Sequence, residues 1–350
     1  MKKILFTGGG SAGHVIPNLA LIEELLANGK IDVCYMGSDG IEKGLLAGKN
    51  IPYHTISCPK LIRDKNFAAL KNNLRIPCAF KKAVKEAEQG LKIFQPDLVF
   101  SKGGYVALPI VFAAKKLGIP CIAHESDFSP GLANRLSAKK CKVVLTAFPE
   151  TAKHFKNGKY GGTPIRRSIL SAKEATSRKA LGIPTKAKVL LVFGGGSGSK
   201  AVNEALRAAL KNLTERYFVL HVCGKDNVVD CHIKNYRQYE FVTDMGTMYA
   251  CADLVLSRAG AGAVFEVLAL KKPSIFIPLE EATRGDQWEN ASYFQEKGLC
   301  RVLPQKNLNR LEEEIDAAFA DERLKKHLLD SHYPPGNTRI IKEITSILYE

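Results

Sequence analysis

The amino-acid sequence predicts an α/β protein with two doubly wound domains, each a parallel sheet covered by helices on both faces. Three observations predict this fold. Short, nearly continuous apolar segments alternate with helical stretches, this alternation restarts near the middle of the chain, and glycine-rich turns follow several of the apolar segments. Strands that are apolar on both faces are typical of parallel sheets buried between helices.

The first half begins with an apolar strand at residues 4–7, a glycine-rich turn and a helix with apolar residues at helical spacing. Further strands are predicted at residues 31–36, 98–101, 121–124 and 143–145, with helices such as 106–117 between them. Each strand is followed by a helical stretch, which is the order that a parallel sheet requires.

The second half repeats the pattern. A strongly apolar strand at 189–193 enters the turn Gly194–Gly198, and a helix follows from about Lys200. Other strands are predicted at 217–222, 254–256 and 274–277, and apolar residues at helical spacing predict a last helix over 339–348. Glycine and proline interrupt both patterns at residues 161–164, so we expect domains at 1–161 and 162–336.

Composition excludes several classes of protein. The 350 residues have room for about two domains, and 45% apolar with 25% charged residues excludes a disordered, collagen-like or coiled-coil chain. The longest apolar run, residues 106–114, is too short for a membrane span, and glycines interrupt the apolar start before it could act as a signal peptide. Nine scattered cysteines without a C-x-x-C pair predict no disulfide scaffold or zinc site, and a cytosolic protein.

The positive charge is unevenly distributed. The net charge is +16, and residues 1–161 carry 24 basic against 12 acidic side chains, whereas the remainder carries 27 against 23. A basic first half beside a nearly neutral second half favours an anionic partner, such as phosphates, nucleic acid or a lipid surface. Solubility alone is the alternative explanation for this surplus.

Three glycine-rich turns follow predicted strands: Gly8–Gly13, Gly194–Gly198 and Gly260–Gly262. Ligands of doubly wound sheets bind beyond the carboxyl ends of the strands, where glycine lets the backbone approach a phosphate at a helix N-terminus. One such turn is weak support, because packing also selects glycine. Three turns shared between two halves predict a nucleotide diphosphate held in a cleft between the domains.

The first turn also fits the dinucleotide motif G-x-G-x-x-G. That motif requires an acidic residue at the end of the second strand. Asp32 instead lies at the start of that strand and Asp39 lies well beyond it, while His14 and Pro17 interrupt the beginning of the helix. The sequence therefore argues against a nicotinamide or flavin site.

Several polar side chains lie beside these turns. His14, at a helix N-terminus, would be held neutral and able to accept a proton, although a capping or turn histidine fits equally well. His124-Glu125-Ser126-Asp127 follows an apolar strand, and its carboxylates are either base candidates or solvated loop residues. Glu266, one turn into a helix, either binds a ribose diol or is a solvated carboxylate. Arg166 suits a diphosphate, and residues 286–290 mix donors and acceptors suited to sugar hydroxyls.

The segment from Lys60 to Lys85 carries eight basic residues and one acid. Phe67, Leu70 and Leu74 form an apolar edge at helical spacing. Basic residues beside an apolar edge are typical of a helix that lies on an anionic membrane surface. The alternative is an ordinary amphipathic helix whose apolar edge faces the core.

Together these motifs closely resemble the MurG family, the transferases that add N-acetylglucosamine (GlcNAc) from its UDP donor to undecaprenyl-pyrophosphoryl-MurNAc-pentapeptide, converting lipid I to lipid II in peptidoglycan synthesis. The resemblance runs nearly end to end. The matching motifs span residues 9–17, 103–106, 124–125, 131–134, 162–166, 258–261 with Glu266, and 286–291. The family implies a GT-B fold, in which two Rossmann-like domains flank a cleft and the C-terminal helix, here 337–350, crosses back onto the first domain.

The resemblance also implies which residues bind each substrate. The donor would contact the second domain, with pyrophosphate on the glycine turns and Arg166, ribose on Glu266, uracil beside Phe241, and sugar hydroxyls on Asp286. The full donor set is Arg166, Gly195, Gly196, Ser197, Phe241, Val242, Ala261, Gly262, Glu266, Asp286 and Gln287. The acceptor set is Ser11, Ala12, Gly13, His14, Gly103, Gly104, Tyr105 and Asn134. It implies no nucleic acid, no metal ligands and no cofactor beyond a non-essential divalent cation.

The reaction implied is a single inverting displacement by the MurNAc 4-hydroxyl at the anomeric carbon of GlcNAc. His14 is the first candidate for the base, and Asp127, Glu125 or bulk water are the alternatives. The basic segment would dock on the anionic membrane, which places the enzyme peripherally at the cytoplasmic face of the bacterial cell membrane. A UDP-GlcNAc 2-epimerase of the same architecture and a nucleotide-sensing protein are the rival functions.

Overall fold

The computed structural model describes residues 1–27, 29, 31–61, 73–196, 198–280 and 285–350. The chain forms two compact units. Met1–Pro164 together with Pro335–Glu350 make the first domain, and Ile165–Pro334 make the second. The predicted boundary between residues 161 and 162 falls just before this division.

The first domain is built on a seven-stranded parallel sheet in the order β3-β2-β1-β4-β5-β6-β7. Its strands are β1 (Lys2–Thr7), β2 (Ile31–Gly37), β3 (Tyr53–Thr55), β4 (Leu98–Ser101), β5 (Cys121–Glu125), β6 (Val143–Thr146) and β7 (Gly158–Tyr160). Its first helices are α1 (Ala12–Ala27), α2 (Ile41–Leu46), α3 (Ile76–Phe94), α4 (Ala107–Lys116), α5 (Leu132–Ala138) and α6 (Pro149–Ala152). The order that begins 3-2-1-4-5 is that of the dinucleotide-binding fold, and it brings the ends of β1 and β4 together.

The second domain contains a six-stranded parallel sheet in the order β10-β9-β8-β11-β12-β13. Its strands are β8 (Val189–Phe193), β9 (Phe218–Val222), β10 (Tyr236–Tyr239), β11 (Leu254–Ser257), β12 (Ser274–Phe276) and β13 (Arg301–Val302). Its helices are α7 (Arg167–Ser171), α8 (Glu174–Ala180), α9 (Lys200–Arg216), α10 (Met245–Cys251), α11 (Ala261–Ala269), α12 (Asp286–Gln295), α13 (Leu311–Ala320) and α14 (Glu322–Asp330), with a 3-10 turn at Gln305–Arg310. The predicted GT-B pair of Rossmann-like domains is confirmed.

The last helix, α15 (Asn337–Leu348), belongs to the first domain although the whole second domain precedes it in the chain. Ile340, Ile344 and Leu348 are buried in the core that α1 and β1 form on one face of the sheet. The other face of that sheet has its own core, to which α3 and α4 contribute. Both faces are thus covered, which explains the continuous apolar strands.

The strands that the sequence did not predict are β3, β7, β10 and β13. All are short, all four lie at an edge of a sheet, and their residues are mostly partly exposed and polar, as in Gly158–Tyr160. An edge strand has one neighbour to pair with and little apolar surface to bury, so it leaves a weak apolar pattern. No helix among the described residues is both long and apolar enough to span a bilayer.

Candidate functional site

In the first domain the glycine turn after β1 carries a histidine whose tautomer is fixed. His14 lies in the first turn of α1, and its Nδ1 is 3.1 Å from the carbonyl oxygen of Gly9 and 3.0 Å from Ser11 Oγ. Because a carbonyl only accepts hydrogen bonds, Nδ1 carries the proton and donates it to Gly9. The Nε2 lone pair is therefore available, which is the state a general base requires.

Burial of the imidazole lowers the pKa of His14, and the nearby Lys102 ammonium lowers it further, against the opposing charge of Asp127. From its place at a helix N-terminus, His14 is predicted to be neutral because of the helix alone. The structure instead gives burial as the main cause and a buried lysine as the second. A histidine with a lowered pKa is neutral at physiological pH and can accept a proton.

The turn at Gly103–Gly104, which follows β4, packs against the glycine turn that follows β1. Gly103 and Gly104 have φ of +88° and +80°, and a Cβ on Gly104 would lie 2.6 Å from the Gly9 carbonyl oxygen and 3.1 Å from His14 Nδ1. A Cβ on Gly10 would likewise lie 2.6 Å from the Tyr105 ring. These glycines are required by local packing and backbone conformation. They bring the predicted acceptor residues of both turns into one cluster at the carboxyl ends of β1 and β4.

Glu125 organises the neighbouring loop after β5. Its carboxylate accepts hydrogen bonds from the N–H groups of Asp127 (3.1 Å) and Gly131 (2.8 Å) and from Asn134 Nδ2 (2.9 Å). The Glu125 and Asn134 side chains are both buried. A carboxylate with three donors holds the loop in place, which favours a positioning role for Glu125 over that of a base. His124 is fully buried as well, with Nε2 2.8 Å from the Gly162 carbonyl oxygen.

Two charged residues of this cluster were missed by the sequence reasoning. Lys102 is only 1% exposed and donates a hydrogen bond to Ser126 Oγ. Burial lowers the pKa of Lys102 to about 8, although the Glu125 and Asp127 carboxylates attract its charge. A lysine directly after an apolar strand and before Gly-Gly was the available signal, because the ends of β4 and β5 are adjacent in the sheet.

The second missed residue is Glu42 in α2, whose side chain is fully buried. Its carboxylate accepts hydrogen bonds from the N–H groups of Gly10 (3.2 Å) and Ser38 (2.9 Å). A Cβ on Gly9 would lie 2.6 Å from this carboxylate. Glu42 thus lies shortly beyond the end of β2, and its carboxylate joins the loop after β2 to the first glycine turn.

The glycine turns of the second domain differ, because several of their glycines are not required by packing. A Cβ on Gly196, Gly260 or Gly262 would meet no described atom within 4 Å, and none of the three has a positive φ. Gly195 is equally open but has φ of +89°, whereas a Cβ on Gly198 would lie 2.0 Å from a carbonyl oxygen. Open glycines at helix N-termini are typical of turns that a phosphate approaches closely.

Glu266 lies on α11, one turn beyond this glycine turn, and accepts a hydrogen bond from the Tyr249 hydroxyl at 2.9 Å. Burial raises the pKa of Glu266, while the charge of Arg166 and the hydrogen bond from Tyr249 lower it. Arg166 is the residue that precedes α7. The structure thus brings together Arg166 and Glu266, which are far apart in the sequence.

Arg258 connects the ends of several strands. It donates to the carbonyl oxygens of Ile277 (3.2 Å) and Pro278 (3.3 Å), and also to Ser199 Oγ (2.7 Å), which caps α9. This guanidinium therefore holds the loops after β11 and β12 and the start of α9 in fixed positions. It supports the glycine turns rather than facing an open space.

The remaining donor candidates are placed as follows. Phe241 is 60% exposed in the loop between β10 and α10, with Val242 beside it. Asp286 and Gln287 begin α12, where Gln287 Oε1 accepts the Leu279 N–H at 3.0 Å. Ala261 is the first residue of α11. Ser197 lies outside the described residues.

Part of the basic segment from Lys60 to Lys85 also lies outside them, including Phe67 and Leu70. Of the remainder, Leu74 is 75% exposed, and Lys81, Lys82 and Lys85 on α3 are exposed. Phe80 packs edge-on against Phe112 of α4, at 5.2 Å between ring centroids. Of these apolar residues, Phe80 on α3 thus packs against a neighbouring helix, whereas Leu74, which precedes α3, is exposed.

Two Rossmann-like domains, one presenting a neutral histidine and the other open glycine turns beside an acid–arginine pair, define the class of two-domain glycosyltransferases. Comparison with known proteins agrees. The N-terminal domain model of glycosyltransferase family 28 matches residues 4–146, and its C-terminal domain model matches residues 189–330.

Among curated relatives, the chain is 40% identical to an enzyme of Clostridium novyi over 99% of this chain and 98% of that one. It is 44% identical to an enzyme of Clostridium perfringens over 88% and 87% of the two chains. Both relatives are named UDP-N-acetylglucosamine–N-acetylmuramyl-(pentapeptide) pyrophosphoryl-undecaprenol N-acetylglucosamine transferase. The crystal structure of Acinetobacter baumannii MurG superposes with a TM-score of 0.75 at 27% identity, covering 99% of this chain and all of that one. The chain belongs to glycosyltransferase family 28.

Proposed function

We propose that this protein transfers GlcNAc from UDP-GlcNAc to the MurNAc 4-hydroxyl of lipid I, forming lipid II with inversion at the anomeric carbon. The observation that carries the proposal is the 40% identity, over 99% of the chain, to an enzyme named for this transfer. The matched region covers 99% of the chain and therefore spans both domains.

The donor is proposed to bind the second domain. The open turns at Gly195–Gly196 and Gly260–Gly262 offer backbone N–H groups and helix N-termini to the diphosphate, and Arg166 adds a positive charge. Glu266 receives the ribose hydroxyls, and the exposed Phe241 ring with Val242 offers an apolar surface to uracil. Asp286 and the Gln287 amide nitrogen are assigned to the sugar hydroxyls.

The acceptor is proposed to bind the first domain, at Ser11–His14, Gly103–Tyr105 and Asn134. His14 Nε2 accepts the proton of the MurNAc 4-hydroxyl as that oxygen bonds to the anomeric carbon of GlcNAc. The bond from this carbon to the UDP oxygen breaks, UDP leaves with the electron pair, and the proton remains on His14. Asp127 is the alternative base.

The negative charge that develops on UDP is proposed to be stabilised by the N–H groups of the glycine turns, the N-terminus of α11 and Arg166. These groups are in place before the reaction, so the step requires no cofactor, and a divalent cation would be non-essential. Full turnover in EDTA is the expected result, and loss of turnover that magnesium restores would contradict this part of the proposal.

The proposed location is peripheral, at the cytoplasmic face of the cell membrane. Support comes from the exposed Leu74, which precedes α3, and from the exposed lysines of α3, since apolar and basic side chains together favour an anionic lipid surface. A surface-bound enzyme would meet its lipid-linked acceptor without extracting it from the bilayer.

Transfer of radiolabel from UDP-GlcNAc to a short-chain lipid I analogue tests the proposed function. We expect labelled disaccharide lipid and one UDP released for each sugar transferred. Conversion of UDP-GlcNAc to its 2-epimer without the lipid acceptor would favour the rival 2-epimerase, and UDP binding without any turnover would favour a nucleotide-sensing protein.

A further inference from the structure

The two oxygens of the Glu266 carboxylate have different surroundings: among the described residues, one is hydrogen-bonded and the other is not. Tyr249, on α10, donates its hydroxyl to Glu266 Oε2 at 2.9 Å. The other oxygen, Oε1, accepts no hydrogen bond from the described side chains or N–H groups. To bind a ribose hydroxyl, a carboxylate needs an oxygen with free lone pairs in a fixed orientation. Oε1 of Glu266 is such an oxygen.

Tyr249 is rigidly held. Its side chain is fully buried, and its ring packs edge-on against Phe193 at the end of β8, with 5.9 Å between the ring centroids. Burial and the neighbouring Glu266 carboxylate raise the pKa of Tyr249 well above its usual value. The phenol is therefore protonated throughout the physiological range, and its hydroxyl is a permanent donor to Glu266.

The groups that influence the ionisation of Glu266 come from two other elements. Arg166 precedes α7, and Tyr249 lies on α10; both favour the ionised carboxylate, while burial disfavours it. The orientation and the charge of Glu266 thus depend on a fully buried tyrosine from a different helix. A phenylalanine would keep the packing of this ring and remove only the hydrogen bond.

We propose that Tyr249 is a positioning residue for nucleotide selection, which holds Glu266 so that its free oxygen receives a ribose hydroxyl and distinguishes ribose from 2′-deoxyribose. This inference rests on the proposed function, because it takes Glu266 as the ribose-binding carboxylate. It adds a residue that was not among the predicted donor contacts, and it makes sugar discrimination in the nucleotide depend on that residue.

The test is a comparison of two ligands with two proteins by calorimetry at fixed pH. UDP-GlcNAc and its 2′-deoxyribose counterpart are titrated into wild-type protein and Tyr249→Phe. Wild-type protein should bind the deoxy ligand roughly tenfold or more weakly, as expected for one lost hydrogen bond to a charged group. Tyr249→Phe should lose roughly tenfold in affinity for UDP-GlcNAc but less than about twofold for the deoxy ligand.

A matched control is available in the same domain. Tyr217 donates its hydroxyl to Asp316 Oδ1 at 2.8 Å, and its ring is also buried in an aromatic stack, against Phe319. Tyr217→Phe removes an equivalent tyrosine–carboxylate hydrogen bond that lies on α13, away from the glycine turns. It should leave both affinities and their ratio unchanged, so a general effect of removing such a bond is excluded.

The pH dependence provides an independent measurement, with UDP-GlcNAc as the ligand because its diphosphate does not titrate near neutral pH. Loss of the Tyr249 hydrogen bond raises the pKa of Glu266, so the decline of affinity on acidification should begin at a higher pH in Tyr249→Phe than in wild-type protein. In a Glu266→Gln background, Tyr249→Phe should change the affinity by less than about twofold.

If Tyr249→Phe lowers the affinity for both ligands equally, the tyrosine has only a structural role and the inference is overturned. An unchanged ribose preference in that variant would overturn it as well. If Tyr249→Phe does not fold, a ribose preference that persists undiminished in Glu266→Gln contradicts it. If wild-type protein binds no UDP-GlcNAc, the proposed function itself fails, and that result is distinct from the loss of discrimination alone.

Discussion

The two domains have similar folds and similar glycine-rich turns, yet the glycines of the two turns are required for different reasons. In the first domain Gly10 and Gly104 make room for Tyr105, the Gly9 carbonyl and His14, and the Gly10 N–H is already bonded to Glu42. In the second domain Gly260 and Gly262 adjoin open space. The first turn supports a reactive side chain, whereas the second leaves backbone available to a ligand.

This difference shows that a glycine motif does not by itself identify a phosphate site. The decisive question is what a Cβ at each glycine would meet. Where it would meet protein, packing explains the glycine; where it would meet nothing and φ is ordinary, close approach of a ligand is the remaining explanation. The proposed base lies in one domain and the proposed nucleotide site in the other, so each can be tested separately.

The largest effect is expected for His14→Ala, which removes the proposed base from the first domain. Turnover should fall by roughly 10²–10⁴-fold, the usual contribution of a general base. The affinity for UDP-GlcNAc should be unchanged, because the proposed donor contacts lie in the second domain. Steady-state kinetics and calorimetry check both statements, and a loss of less than tenfold would transfer the role to Asp127 or to water.

The uneven charge of the two domains predicts the next effect. Replacing Lys81, Lys82 and Lys85 on α3 with glutamate should weaken binding to phosphatidylglycerol vesicles by roughly 100-fold, at about 1 kcal/mol for each lysine lost. Binding to neutral phosphatidylcholine vesicles and turnover with a water-soluble acceptor should be little changed. Cosedimentation at two salt concentrations measures the effect.

The control for this variant replaces three exposed lysines of the second domain with glutamate: Lys186, Lys211 and Lys326. The net charge of the chain changes by the same amount in both variants. If both lose vesicle binding equally, overall charge rather than the surface of α3 is responsible, and the docking assignment is wrong.

Gly262→Ala should change stability and donor affinity in opposite directions. Gly262 is a helical residue of α11 with open space around it, so alanine should raise the free energy of unfolding by roughly 0.5–1 kcal/mol. The added methyl group should obstruct the diphosphate and weaken UDP-GlcNAc binding by roughly tenfold. Denaturant unfolding and calorimetry give the two values.

Gly44→Ala is the matched control, since Gly44 is also helical and open but lies on α2 of the first domain. It should gain comparable stability without any change in donor affinity. Unchanged donor binding in Gly262→Ala would contradict the phosphate assignment of this turn.

The smallest effect is expected for Lys102→Met. This variant should shift the pH profile of kcat/KM and leave the maximal rate little changed. The Lys102 charge lowers the pKa of His14, so its removal raises that pKa. Because the neutral imidazole is the active form, the acid limb of the kcat/KM profile should move to higher pH. An unchanged profile would show that Lys102 does not influence the base.

The same variant should also change how the free energy of unfolding depends on pH. The pKa of Lys102 is lowered to about 8, below its value in the unfolded chain, so the unfolded state binds more protons between these values. Wild-type stability should therefore rise relative to Lys102→Met as pH increases above 8. The contribution of Lys102 itself to this difference should be constant at lower pH, where Lys102 is protonated in both the folded and the unfolded state.

The central strands and the three glycine-rich turns that follow strands could be predicted from the sequence, because apolar segments such as Val189–Phe193 form strands that are buried on both faces. The positions of His14 and Glu266 after strands followed from the same rule. Edge strands such as β7 could not be predicted, since one-sided pairing demands little apolar surface. The cause of the lowered pKa of His14 could not be predicted either, because Lys102 is remote in the chain.

By itself, the sequence determined the number of domains, the parallel sheets, and the residue types that lie at the carboxyl ends of the strands. Those properties follow from local periodicity and from which side chains can be buried. Only the tertiary structure decided that Glu42 closes the first turn, that Lys102 is buried near His14, and that Tyr249 holds Glu266. Each of these is a contact between separate elements, and strand order in the folded sheet, rather than distance along the chain, brings the partners together.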